Sequence, residues 1–166
     1  MIGLLPRLWR PAGSPFQSLT DEAALWTSCI REEWEAARRP FEEALVDAAI
    51  SAVDELAPTQ GEQVLLHQDL HGDNVLAADR EPWLTIDPKP LVGEREFGLA
   101  PIIRSPELGH GERQVVGRLD RLTSELDLDR ERARGWALGQ TIAWSFNSEF
   151  HPLHVETARW LLEAAR

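Results

Sequence analysis

A mainly helical protein with a small β element is the fold class that this sequence predicts, and three observations predict it. The stretches 20–58 and 112–166 repeat their apolar residues with the period of a helix. Three short apolar runs, Val64-Leu65-Leu66, Val75-Leu76-Ala77 and Trp83-Leu84-Thr85-Ile86, are bounded by Gly, Pro and Asp. They are too short for helices and read as small buried strands. The 166 residues, 43% hydrophobic and 27% charged, suit one domain with a sizeable core.

Residues 1–19 are rich in Pro, Gly and Ser and are expected to run over the surface, anchored by Leu4, Leu5, Leu8 and Trp9. Ser18 to Asp21 has the Ser-x-x-Asp form of a capping box, so a helix should follow to about Arg38, with Trp26, Ile30 and Trp34 as a packed stripe. Pro40 suits the first turn of a second helix. Its face of Phe41, Leu45, Ala48, Ala49, Ala52, Val53 and Leu56 is the clearest amphipathic pattern in the chain and ends before Pro58. Segment 90–111 should be mostly irregular, with room for a turn of helix at Leu99 to Arg104. Glu112 to Leu126 reads as a helix that turns Val115, Val116, Leu119, Leu122 and Leu126 inward, with Arg113, Arg118, Asp120, Arg121 and Glu125 on a solvated face. Asp129 is expected to cap a further helix running through Trp136, Ile142, Ala143 and Phe146. Gly135 and Gly139 inside it cost about 1 kcal/mol each and can also let another helix approach. A last helix from about Pro152 to Ala165 uses Val155, Ala158, Leu161 and Leu162.

The formal net charge of −11 argues against nucleic acid as a partner and is compatible with a cationic small molecule, although acidity also serves solubility. The one cysteine, Cys29, excludes an internal disulfide framework and makes a reducing cytoplasm the expected location. No run approaches the ~18 apolar residues of a membrane-spanning helix, and the start, Met1 to Leu5, meets Pro6 without a basic region, unlike a signal peptide.

The polar residues His67, Asp69, His71, Asp73, Asn74 and Asp87 fall at the ends of the short apolar runs. A side chain at a strand end is held by a rigid element and still reaches solvent. His67-x-Asp69-x-x-x-x-Asn74, followed by an Asp that closes a later run, has the order of parts in a phosphoryl-transfer site. Asp69 would orient an acceptor hydroxyl and take its proton, and Asn74 and Asp87 would offer hard oxygen ligands to Mg²⁺. Asp, Asn and Gly are also common turn formers. A second reading is a metal-dependent hydrolase in which His67, Asp69, His71 and Asp73 hold Zn²⁺ or Fe²⁺, but it leaves Asn74 and Asp87 without a role.

The segments LLPRLWRP, ALVDAA, LLHQDLHGDNVL, REPWLTIDPKPLVGEREF and LAPIIR, between Leu4 and Arg104, resemble the aminoglycoside and hydroxyurea antibiotic resistance kinases, which include the streptomycin phosphotransferases. Beyond Arg104 only a helical pattern matches. The resemblance implies the C-terminal, helical lobe of the protein-kinase-like aminoglycoside phosphotransferase fold over 1–166. Within it lie a surface segment at 1–19, two helices in 20–58, catalytic and metal-binding loops at 63–89, irregular chain at 90–111 and a helical subdomain at 112–166. It further implies transfer of the γ-phosphoryl of ATP, with Mg²⁺, to a hydroxyl of streptomycin, another aminoglycoside or hydroxyurea. Asp69 would be the catalytic base, His67 the brace of its loop, and Asn74 and Asp87 the Mg²⁺ ligands. Lys89, within the family-specific Pro-Lys-Pro that follows Asp87, is grouped with the cofactor-binding residues. Asp127, Asp129 and Glu149 are candidates to meet the amines of a cationic aminoglycoside. Ser105-Pro106-Glu107 has the form of an activation-segment end, which small-molecule kinases do not need.

Three positions depart from the family. Gln68 stands where Gly or Arg is usual, Asp73 where a small residue is usual, and Gly98 where an Asp ties the helical lobe to the catalytic loop. Lys89 is the one lysine, and no glycine-rich phosphate loop occurs. The N-terminal lobe is therefore expected to be absent, a missing partner without which this chain turns over ATP weakly or not at all. A non-catalytic kinase remnant is the remaining alternative.

Overall fold

The computed structural model describes residues 2–79, 82–146 and 151–165. They form helices α1 (Leu5–Leu8), α2 (Leu19–Ala36), α3 (Glu43–Leu56), α4 (Ala100–Arg104), α5 (Glu112–Leu126), α6 (Arg130–Ala143) and α7 (Pro152–Glu163), and strands β1 (Val64–His67), β2 (Val75–Ala77), β3 (Trp83–Thr85) and β4 (Pro90–Gly93). Among these residues no helix is long and apolar enough to cross a membrane.

Ser18 starts α2 as the sequence predicts, its Oγ accepting the Asp21 N–H at 3.1 Å. That bond satisfies one of the four amides a helix start leaves unpaired. Trp26, Ile30 and Trp34 are all buried in the core. Pro40 does not open the next helix. Arg38 and Arg39 adopt left-handed backbone (φ 63° and 55°), the Arg39 N–H returns to Trp34 O at 2.9 Å, and the Trp34 indole donates to Phe41 O at 3.0 Å. The reversal consumes residues 38–42, so α3 begins at Glu43.

Helix α6 is the centre of the packing, with Ala133 and Gly135 to Ala143 buried. Gly135 and Gly139 admit α3: a Cβ at 135 would lie 2.8 Å from Leu56 Cδ1, and one at 139 would run into Val53. The helix predicted to reach Phe146 ends at Ala143 and tightens into a 3₁₀ turn, Trp144–Phe146. Glu94, after β4, is buried yet fully partnered. It accepts from Arg132, from the Trp136 indole and from the Gly61 N–H.

Strand β1 pairs antiparallel with β4, from Val64 opposite Gly93 to His67 opposite Pro90. The segment expected to be irregular thus begins with a strand, and Pro90 is tolerated as its first residue. The N-terminal segment does more than cross the surface, because Leu65 N–H donates to Arg10 O at 2.8 Å and Val92 N–H to Gln17 O at 2.9 Å. Strands β2 and β3 form a separate hairpin, from Val75 opposite Thr85 to Ala77 opposite Trp83. The sequence predicts them buried, but Leu76, Trp83, Leu84 and Ile86 are exposed. Val75 packs against the core, and these four side chains of the two-stranded ribbon stay outside it.

Candidate active site

Strand β1 delivers His67 to the start of the polar loop. Its Nδ1 accepts the Asp69 N–H at 3.3 Å and its Nε2 lies 3.0 Å from Ile86 O, so the proton belongs on Nε2. The ring ties the loop to the end of β3, and both nitrogens are committed to backbone. Among the described residues no group of three or more His, Cys, Asp or Glu is arranged to hold a metal ion. The hydrolase set of His67, Asp69, His71 and Asp73 is corrected accordingly: His67 is spent on the loop, and Asp73 is exposed on the 3₁₀ turn Gly72–Asn74.

Asp69 stands two residues on, its carboxylate facing a ring of cations. Oδ2 is 2.6 Å from Lys89 Nζ, and Oδ1 is 3.6 Å from an Arg104 terminal nitrogen and 3.8 Å from His71 Nε2. Burial pushes the Asp69 carboxyl up, but hydrogen bonding and charge from Lys89, with the charges of His71 and Arg104, outweigh it and hold it below the usual carboxylate range. Arg104, on α4, is itself buried, which lowers its guanidinium to about 10, and it lies 4.5 Å over the Trp144 ring.

Asn74 anchors its amide inward. Nδ2 donates to Asp69 O at 2.8 Å and meets His71 Nε2 at 3.1 Å, while Oδ1 has no hydrogen-bond partner among the described residues. Ile86 N–H donates to Asn74 O at 3.0 Å, which carries the β2–β3 pairing one step further, with Ile86 opposite Asn74 and Asp87 the next residue along. Asp87 leaves the ladder in left-handed backbone (φ 48°), exposed, with no side-chain partner among the described residues. The Asn74 Oδ1 and the Asp87 carboxylate are thus two hard oxygen donors without a partner among the described residues.

An open cleft of about 380 Å³ takes in Asp69, His71, Lys89, Arg104, Trp144 and His154, with Asp73, Glu107 and His151 among its other walls. Arg104, Trp144, His151 and His154 are residues that no local spacing connects to the catalytic loop; only the packing of α4, α6 and α7 brings them together. Burial, then the charges of Arg104 and His151, lower the His154 imidazole to about 4. Arg118, predicted on a solvated face, instead donates to the carbonyls of Ile103, Leu108 and Gly109 at 2.9, 3.0 and 2.7 Å and so fixes the segment that carries Arg104 and Glu107.

Of the acids expected to meet substrate amines, Asp129 accepts the Arg132 N–H at 2.9 Å as the cap of α6 and Asp127 ends α5 in left-handed backbone. Neither lines the Asp69 cleft, and Glu149 lies outside the described residues. Contacts other than a side chain at position 98 hold the loop. A Cβ there would lie 3.3 Å from both Leu66 and the Trp9 indole, while the loop is held by Gln140 donating to Gln68 O at 3.2 Å and Gln68 donating to Glu22 at 3.1 Å.

Comparison with known proteins extends the likeness past Arg104. The sequence profile of the aminoglycoside/hydroxyurea antibiotic resistance kinases matches residues 1–148. A streptomycin 6-kinase from Streptomyces griseus is 40% identical over 148 residues, 86% of this chain and 48% of that protein. A hydroxyurea phosphotransferase from Kitasatospora aureofaciens is 46% identical over 101 residues, 61% of this chain and 28% of that protein. A streptomycin 3''-kinase from Klebsiella pneumoniae is 33% identical over 117 residues, 64% of this chain and 44% of that protein. The chain spans about half the length of the streptomycin 6-kinases it matches. A family profile matched over most of its length, together with relatives 40% identical over 86% of it, shows that the chain belongs to the aminoglycoside/hydroxyurea antibiotic resistance kinase family.

Proposed function

We propose that this chain carries the phosphoryl-transfer site of an antibiotic-modifying kinase, which moves the γ-phosphoryl of ATP to a hydroxyl of a small acceptor such as streptomycin or hydroxyurea. The observation that carries the reading is the Asp69–Asn74 pair: a carboxylate kept ionised at the wall of a cleft, next to an amide whose nitrogen is tied to Asp69 O and whose oxygen is free. Asp69 would accept a hydrogen bond from the acceptor hydroxyl, aim its oxygen at the phosphorus and take its proton. Lys89, with half its side chain exposed against 15% for Asp69, would keep Asp69 anionic and offer its remaining donors to a nucleotide phosphate. Asn74 Oδ1 and the Asp87 carboxylate would hold Mg²⁺, which when bound neutralises charge on the transferring phosphates. Leu76 and Ile86, exposed beside these ligands, are suited to the flat face of a nucleobase. The acidic surface favours a cationic acceptor by steering, and an ATP donor agrees with a cytosolic setting.

Phosphoryl transfer depends almost wholly on positioning and charge stabilisation, and orientation alone is worth about 7–11 kcal/mol. This chain offers Lys89 but no glycine-rich loop over the phosphates. Weak transfer by the 166 residues alone is therefore expected, and full transfer once a glycine-rich, lysine-bearing N-terminal lobe is added as a separate chain. The test is ³²P transfer from ATP to streptomycin and to hydroxyurea by that mixture, with Asp69→Asn beside the parent. Restored transfer that Asp69→Asn abolishes supports the reading. Restored transfer that survives it, or a mixture inert toward both acceptors, counts against it and favours a non-catalytic remnant.

A further inference from the structure

Lys89 and Trp144 line the Asp69 cleft, and the same two residues line a second pocket, of about 280 Å³, that opens against α2. Lys89 Nζ lies 2.6 Å from Asp69 Oδ2 and 5.2 Å from the centre of the Trp144 indole, and Arg104 lies 4.5 Å over that ring. The turn that carries Trp144 is held on both sides. Ser145 Oγ donates to Thr141 O at 2.8 Å, and the His151 N–H donates to Ser145 O at 2.9 Å. The two spaces therefore share a wall that the fold fixes in place.

The pocket against α2 has an apolar floor of Leu25, Trp26, Ile30 and Ala143 and an acidic edge. Of its two carboxylates, Glu22 is fully engaged. One oxygen accepts from the Trp26 indole and from Gln68, both at 3.1 Å, and the other accepts from Gln17 at 2.8 Å. Glu33 is exposed at the edge, and its carboxylate has no partner among the described residues. Loss of water there, and then the charge of Glu32, push its carboxyl up, as expected of an anion short of a counter-ion. The cation that lines this pocket, Lys89, is paired with Asp69 instead. Resting on the reading of Asp69 as the base that meets the acceptor hydroxyl, we propose that this pocket is a second compartment of the acceptor site. Glu33 is its specificity-determining residue, pairing with a guanidinium or ammonium group of an acceptor that extends past Trp144. A guanidinium is planar, weakly hydrated and stacks on aromatic faces, which suits a free carboxylate beside an apolar floor. Streptomycin, large and cationic, places its reacting hydroxyl at Asp69 and a cationic group at Glu33. Hydroxyurea, small and neutral, uses the Asp69 cleft alone.

Cys29, the one cysteine of the chain, also lines the pocket and supplies a probe without mutation. In the ¹⁵N-labelled 166-residue chain the Asp69 amide signal reads occupancy of the cleft, and the rate at which neutral iodoacetamide alkylates Cys29 reads occupancy of the pocket. At ~0.15 M salt, where exposed charges more than about 8 Å apart are largely screened, saturating streptomycin should shift the Asp69 amide and slow alkylation several-fold. Saturating hydroxyurea should shift the amide and leave alkylation unchanged. Glu33→Gln alters an exposed residue and keeps its shape. It should weaken streptomycin binding about fivefold, the upper end for loss of an exposed ion pair, and leave hydroxyurea binding as in the parent. Alkylation as fast with streptomycin bound as without it overturns the proposal, and so does a Glu33→Gln chain that binds streptomycin as tightly as the parent. Failure of streptomycin to bind the 166-residue chain, or protection of Cys29 by both acceptors alike, overturns it too. If Cys29 and Glu33 respond as stated while transfer by the two-lobe mixture survives Asp69→Asn, the reading of Asp69 as the base fails and the second compartment stands.

Discussion

At Asp69 two influences oppose each other, and mutation separates them. Burial is the largest single influence and raises the carboxyl, while Lys89, with the charges of His71 and Arg104, lowers it by more in sum. A folded-state pKa below the ordinary ~3.9 of an unfolded Asp means a contribution to stability that is complete above that value and is lost as pH falls through the folded one. Lys89→Met should move the Asp69 titration, followed by carboxyl ¹³C shifts, upward. A midpoint unmoved in that variant would show that Lys89 does not govern the group. Because the Lys89 side chain is 52% exposed, the ion pair itself should contribute no more than about 1 kcal/mol. His154 has the opposite sign. With its folded value at about 4 and an ordinary value near 6.5, the unfolded chain takes up a proton over that interval and the native chain does not. Stability should therefore fall as pH drops from about 6.5 toward 4, by an amount on the order of 2 kcal/mol at pH 5. His154→Gln should flatten that part of the curve in urea unfolding at pH 7 and pH 5; an equal pH slope in both proteins would contradict a buried neutral His154.

The contact of α3 with α6 makes its own demand at the scale of elements. Gly139 meets Val53 and Gly135 meets Leu56 with no room for a methyl group, so Gly139→Ala should cost about 1–3 kcal/mol by overpacking. Val53→Ala alone should also destabilise, by leaving a cavity. The double variant should lose less than the sum of the two, since the new methyl group fills the space the old ones left; strict additivity in chemical denaturation would refute the close approach. The bounds of α2, α5 and the start of α6 were legible because caps and apolar period agree there: Ser18 before α2, Asp129 before α6, and Val115, Leu119 and Leu122 on one face of α5. The start of α3 and the strand β4 were not. A left-handed pair of arginines leaves no mark like glycine, and Pro90 reads as a strand breaker until its partner β1 is known. Arg118 was misread for the same reason, since its three carbonyl partners lie in another element. Arg118→Met should raise amide exchange across 104–109 well before global unfolding, whereas exchange confined to global opening would deny it that role.

For the whole molecule, the loop from His67 to Asn74 was readable because the residues that touch one another there are also close in sequence. His67, Asp69 and Asn74 interlock within one loop and Asp87 arrives with the next hairpin arm. The opposite wall of the cleft, with Arg104, Trp144 and His154, draws on α4, the turn after α6 and α7. Such residues meet only once α6 is packed against its neighbours, so no window of sequence contains them. Asp127 and Asp129, expected to meet substrate amines, end or begin helices and lie outside the Asp69 cleft.

Paramagnetic broadening by Mn²⁺ in the ¹⁵N-labelled chain tests the central claim, a hard-oxygen site shared by Asn74 and Asp87 beside Asp69, most directly. At low Mn²⁺ with ADP present, the signals of residues 69, 74, 86 and 87 should vanish first, and Asp87→Asn should abolish that order. Broadening that starts on the acidic surface of α2 or around Asp127 and Asp129, and leaves the 69–87 loop sharp, would contradict it.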